Sequence, residues 1–509
     1  MTGRMREVEL VDEVDVPVPP APDGRAAPDT PGPWPRRHAF WLVPTALLVV
    51  AGLVGTQAVL DARERSRIEA LAKVPGVVAP AGPDIGVIWR APAELGPVLQ
   101  YGAEVDGLLV GGVSGTDGVR VLALDPDTGA SRWSTAVTLP TAHPQPDGRL
   151  PTSAVICTQI PHGDRPLAGC LSQQFGENIV GLPDQTIWVL DPTDGDVLST
   201  RTVTGTSGVT FTRDAVVVAS RVDAAGAPAR ADASSVRWNV AATDALDGTS
   251  LWSYTTPAVD VLGREDGPAG ADASGGASMT TSGDDHVVLS VDTGAWILDD
   301  GGRLVRAVPL GPGSWIQGAR AGAYVLSAYT ASGTYSGELI LADGTSAPID
   351  QTAAWLAVDD GSAPDVVLTA GDGPTGVYGL SGRDVATGKT LWHDDDTVNT
   401  ALLLHGVVYI ATLDGISAVD ARTGRVRWIA KLDHQFREMS TDGRYLLVPG
   451  RGISLDAYSL ADGSHAWSAD LRDAVTQGSP TQTAQGFQPS GREPRMFVWM
   501  NDGSVAVLG

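Results

Sequence analysis

Lysine is nearly missing from this 509-residue chain, with Lys73, Lys389 and Lys431 the only three. Arginine carries the rest of the positive charge, and 35 basic residues face 60 acidic ones for a formal net charge of -25. A chain this acidic lacks the footprint for nucleic acid, whose phosphates need Lys and Arg. Cysteine is equally scarce, at Cys157 and Cys170 alone. The eight histidines are scattered with no HExxH, and no G-x-S-x-G elbow appears. Aromatic residues make up only 6%, yet 14 of them are Trp, an unusual share.

Long apolar runs are missing too, with one exception. Residues 39–60, "AFWLVPTALLVVAGLVGTQAVL", carry no charge and are long enough to cross a ~30 Å hydrocarbon core as a helix. Trp34 and Trp41 flank one end, where indole rings prefer the interface. A cleaved signal peptide would need a 37-residue leader and a small-residue cleavage site that is not evident. The expectation is a single membrane anchor over 38–60. Arg36 and Arg37 precede it and Arg63, Arg65 and Arg67 follow it, so flanking charge does not set the orientation. The two cysteines, both beyond the anchor, suit an oxidising compartment and predict a Cys157–Cys170 disulfide. That favours a cytoplasmic N-terminus and an extracytoplasmic C-terminal region. Residues 1–37 are Pro- and acid-rich and read as a disordered tail; 61–83 read as a helical stalk and linker.

From about residue 84 the chain consists of short Val, Ile, Leu and Ala runs punctuated by Gly, Asp, Asn and Pro, such as "GVVYIAT" at 406–412. These are strand signals, and no convincing amphipathic helix interrupts them. A recurring motif orders the strands. It places Asp, Gly and Trp four residues apart at Asp125, Gly129 and Trp133; at Asp244, Gly248 and Trp252; at Asp384, Gly388 and Trp392; and at Asp420, Gly424 and Trp428. A fifth copy keeps Gly463 and Trp467 but has Ser459 in place of Asp. Weaker turns fall at Gly195, Gly301 and Gly344. A repeat near 40 residues with several strands in each is the mark of a β-propeller. Within it the Gly supplies a left-handed turn position, the Asp bonds turn amides, and the Trp packs into a neighbouring unit with its N–H available to a carbonyl.

The chain ends on "MFVWMNDGSVAVLG", which lacks a final Trp strand, while "DIGVIWRAP" at 84–92 supplies one with Trp89 in the wedge position. An N-terminal strand completing the last blade would leave no free sheet edge. Repeats of the form "DGxxxAxDxxTGxxxW" resemble the PQQ-like, quinoprotein-type or BamB-like β-propeller family. The resemblance implies an all-β propeller of eight four-stranded blades, plus or minus one, over 84–509.

Quinoprotein dehydrogenases of that family place calcium and quinone on the axis beside a catalytic Asp and two adjacent cysteines. No adjacent pair exists here, and neither the Asp nor calcium ligands can be assigned, so no catalytic, cofactor or metal residue is expected. "GRDVATGKT" at 382–390 brushes against a phosphate-binding loop but has Arg383 where Gly is needed. The acidic clusters at 284–286, 359–360 and 393–396 lack the spacing of a calcium loop and read as solvated turns. Ala-, Gly- and Asp-rich insertions at 221–236 and 262–279 read as flexible loops, and the stretch 141–185 around the cysteines as a candidate partner surface. The expected role is a membrane-anchored extracytoplasmic binding or scaffold module for a protein, peptide or glycan. The alternative is a PQQ- or calcium-dependent oxidoreductase.

Overall fold

A computed structural model describes residues 73–509 apart from 116–117, 141–151, 176–183, 206, 231–232, 262–275, 283–285, 312, 330–334, 373–377, 478–483 and 490–494, together with Ser66, Ala70 and Leu71. The expected tail and membrane span lie outside the described residues. Among the described residues no helix is long and apolar enough to cross a membrane. Contacts divide the chain into residues 1–66 and a second unit, 67–509, which is the propeller.

Among the described residues nine sheets form the ring, one more than eight and at the upper bound of the expected count. In chain order the blades span 103–137, 152–203, 208–255, 278–309, 314–349, 352–394, 398–431, 440–470 and 484–508. The extra blade comes from the units with weak turns at 195, 302 and 344, each of which carries a full sheet although it lacks the Trp. The left-handed turn residue of blade 4 is Gly302, at φ 76°, rather than Gly301. Blade 9 is closed from the N-terminus: Val87–Ala91 pairs antiparallel with Val505–Leu508, Trp89 opposite Val507.

Within each blade, connections from inner to second strand and from third to outer strand lie on one face, the turn face. The other connections lie on the opposite loop face. The recurring motif sits on the turn face, and its parts serve two blades at once. In blade 7, Asp420 accepts hydrogen bonds from the amides of Arg422 and Thr423, and the Gly424 amide closes the turn onto the Asp420 carbonyl at 2.8 Å. Trp428 leaves that turn and donates its indole N–H to Leu460 of blade 8 at 3.1 Å, and a Cβ on Gly463 would land on its ring. The same step joins Trp392 to the Ala421 carbonyl and Gly424, Trp133 to the Pro192 carbonyl and Gly195, and Trp89 to the Pro126 carbonyl and Gly129. Trp252 packs on Gly302. Where Trp is missing, Arg201 reaches Thr243 and Arg306 reaches the carbonyls of Leu341 and Ala342.

Two additions thicken the inner edges of blades 7 and 8. Leu356–Asp359, from the connection inside blade 6, lies parallel to the inner strand of blade 7 as a fifth strand. Residues 74–83, read from sequence as linker, run against the propeller: Val77 bridges Thr441 and the Val78 amide donates to the Thr441 carbonyl at 2.9 Å. Leu71, Val77 and Val78 are buried in the cores of blades 7 to 9, so propeller packing begins before residue 84.

The insertion at 221–236 is partly folded. Val222 bridges Pro228, and Ser235 and Val236 pair with the short strand Val259–Asp260. Cys157 and Cys170 face each other on adjacent strands of blade 2, 4.1 Å apart at Cα and joined by a disulfide. Both are 0% exposed. They belong to a hairpin, Thr152–Ile160 with Leu167–Phe175, rather than to a long pinned loop. The flanking parts of the expected partner surface, 141–151 and 176–183, lie outside the described residues.

Candidate functional site

On the loop face, the start of blade 7's inner strand, its Leu413 turn and the connection into blade 8 border a half-open cleft of about 650 Å³, within the range of ligand sites. Val398, Asn399, Leu413, Gln435, Phe436 and Arg437 line it. Asn399 donates its side-chain amide to the Phe436 carbonyl at 2.7 Å and fixes the connection against the strand. His434 extends the hold, with Nε2 2.9 Å from the Pro449 carbonyl in blade 8. Phe436 is buried as an anchor, while Gln435 and Arg437 on either side of it are exposed. The added strand pairs one turn of the pleat further down, Leu356 opposite Ala401, and backs the cleft toward the turn face. The result is an open cup lined by Val398 and Leu413, with amide and guanidinium groups at its rim.

Behind the same connection, Glu438 lines a small cavity with Met439, Ser440 and Met496. Its Oε2 is sealed from solvent without a hydrogen-bond partner, and burial raises its carboxyl above the ordinary range. Sequence reading missed this cup, because its residues come from three connections whose meeting depends on blade geometry. The one local signal was the run "DHQFREM" at 433–439, too polar for a strand and too long for a two-residue turn.

The acidic clusters do not converge. Asp359 pairs with Arg320, while Asp360 accepts the His405 amide at 2.7 Å. In the cluster at 393–396, burial raises the Asp394 carboxyl, and Asp395 pairs with His393 at 3.0 Å. Asp284 and Asp285 lie outside the described residues. Among the described residues no group of three or more His, Cys, Asp or Glu side chains could hold a metal ion. His393 Nδ1 also lies 2.8 Å from Ser381 Oγ, a hydroxyl–imidazole–carboxylate order familiar from acyl transfer. Ser381 is only 2% exposed, so its oxygen is closed to a substrate. Arg383 of the would-be phosphate loop is buried on a blade strand and donates to Thr369 and Gln351.

The motif residues Asp125, Asp244, Asp384 and Asp420 are turn caps. The guanidinium of Arg132 beside Asp125, and that of Arg427 beside Asp420, hold these carboxyls below their usual range. All five motif copies are thus occupied in building the ring.

Residues 413–508 match the family described as outer membrane protein assembly factor BamB. No curated protein matches the chain. Among solved structures, BamB from Moraxella catarrhalis is 15% identical and covers 83% of this chain and 99% of its own, with a TM-score of 0.38. The quinohemoprotein alcohol dehydrogenase from Comamonas testosteroni is 14% identical and covers 87% and 81%, also with a TM-score of 0.38. A europium-containing methanol dehydrogenase is 14% identical, covering 74% and 85% with a TM-score of 0.32. At these identities and scores the three carry no functional argument.

Proposed function

Because the chain belongs to the PQQ-like β-propeller family, we propose that it is a membrane-anchored, extracytoplasmic binding module that receives a protein, peptide or glycan partner in the loop-face cup of blade 7. One observation carries the reading. The cup presents Gln435 and Arg437 to solvent on a connection held from both blades, and binding residues concentrate on such loops over rigid scaffolds. The oxidised, buried cysteine pair supports an extracytoplasmic setting, and the apolar run at 39–60 supports the anchor.

The test is a photo-crosslinking residue placed at Gln435 in full-length protein in intact cells, with Ile429 on the outer strand as control. A discrete adduct at Gln435 alone is expected. Equal adducts at both positions, or stoichiometric uptake of pyrroloquinoline quinone with calcium by the purified chain, would overturn the reading in favour of a general surface contact or a quinoprotein.

A further inference from the structure

Resting on the binding role proposed for the cup, we infer that its occupant is an uncharged glycan, one ring of which lies flat against the indole of Trp355.

Trp355 stands apart from the other tryptophans of this fold. Those among the described residues are buried or half-buried, as wedges or within the blades, whereas Trp355 is 76% exposed. Leaving so large an apolar face in water gives up the burial that the others obtain. Strand register puts it beside the cup. Trp355 directly precedes the added strand Leu356–Asp359, whose Leu356 lies opposite Ala401, so it stands at the height of Asn399 and Thr400 on the axial side of blade 7. Successive side chains on a strand point to opposite faces. Leu356 packs on the core between blades 6 and 7, and Ala357 on the core between blades 7 and 8. Trp355 therefore turns with Ala357 toward blade 8. The connection that carries Gln435 and Arg437 crosses on that side, with its Phe436 in the same core as Ala357.

The polar groups of the cup suit hydroxyls better than charges. Asn399 gives a side-chain N–H to the Phe436 carbonyl and keeps its side-chain oxygen as an acceptor. Gln435, exposed, offers both a carbonyl oxygen and an amide NH2. A sugar hydroxyl donates and accepts at once, so neighbouring hydroxyls match these amides and the guanidinium fork of Arg437. Around the cleft neither sign of charge dominates, although the chain carries -25 overall. Asp395 and Asp396 lead into Val398, and Asp414 follows Leu413. Against them stand Lys431 and Arg437, while Asp433 is paired with Arg451 at 3.0 Å. An ionic ligand gains little from such a rim.

The shape of the cleft separates a glycan from a peptide. Peptide anchors seat in closed, desolvated pockets. Here the cleft is half-open, Phe436 is buried beneath it, and the apolar groups that remain, Trp355 and Leu413, stand exposed. A sugar ring has apolar C–H faces and a hydroxylated edge, so it uses a flat indole and rim amides together.

The test is calorimetric titration of the purified full-length chain in detergent with three uncharged oligosaccharides: maltohexaose, cellohexaose and N-acetylated chitohexaose. At least one should bind, with an affinity that salt does not change. Trp355→Ala and Gln435→Ala should each weaken it several-fold, whereas Ile429→Ala, also exposed but on the outer strand, should not. Failure of all three sugars to bind, binding that falls as salt rises, or binding that survives Trp355→Ala overturns the glycan assignment. In that event a crosslinker at Gln435 that still captures a discrete polypeptide leaves the cup a binding site with a peptide occupant. If it captures nothing, the binding role falls as well.

Discussion

Trp428 and Trp467 occupy the same position in consecutive blades, yet only one finds an acceptor. Trp428 donates to the Leu460 carbonyl, while the Trp467 N–H is buried without a partner. The cause is ring closure. The wedge of blade 8 points to where blade 9 would have its third-to-outer turn, and there two segments distant in sequence meet instead, with Gly86 and Gly509 paired and Ile85 and Val87 packed against the core. Replacing each Trp by Phe removes similar volume from both sites but a hydrogen bond from one. Trp428→Phe should therefore cost about 1 kcal/mol more than Trp467→Phe in denaturant unfolding; equal losses would contradict the assignment. At Gly424, φ is 65° and a Cβ would collide with Trp392. Gly424→Ala should destabilise by about 1–3 kcal/mol, seen as a lower unfolding midpoint. The Asp–Gly–Trp spacing was readable as turn and wedge because each half is local. That the wedge of one repeat meets the turn glycine of the next was not, because it depends on how blades stack.

At the scale of an element, the blade 2 hairpin and the cup connection respond to different agents. The disulfide joins paired residues of adjacent strands, so it also holds their register. Replacing both cysteines by Ser should lower stability by about 2–4 kcal/mol, and thiol labelling of the denatured, unreduced wild type should find no free cysteine. Glu438 behaves in the opposite sense to a salt-bridged acid. Its folded pKa is raised by burial, so the folded state is favoured below the unfolded value near ~4.3 and loses that advantage as pH rises through the folded value. Glu438→Gln should raise the melting temperature at pH 7 and leave it nearly unchanged at pH 4. Strand identity was legible throughout from apolar runs such as 406–412. The wedge role of Arg306 was not, since an Arg on an outer strand reads as a solvated charge until the facing carbonyls of Leu341 and Ala342 are seen.

For the whole molecule, the N-terminal segment has two separable tasks. Residues 71–78 cover the inner edges of blades 7 and 8, whereas 87–91 close the ring. Deleting residues 1–80 should lower the melting temperature but leave a monomer by size exclusion. Deleting 1–91 strips blade 9 of its outer strand, exposes the edge at Val505–Leu508, and should yield oligomers or aggregates. A monomer from the longer deletion would mean that the closing strand is dispensable.

By itself the sequence determined the strand-rich class, the motif chemistry, the closing strand and the cysteine pair, because each depends on neighbours a few residues apart or on the complementarity of the segments at 84–92 and 496–509. Only the tertiary structure decided nine blades within the expected eight plus or minus one, the packing of 74–83 on the inner edges of blades 7 and 8, the isolation of Ser381 and the cup at 435–437. Those outcomes arise where side chains distant in sequence compete for the same space, and burial and hydrogen bonding across blades, which no local pattern encodes, select the arrangement.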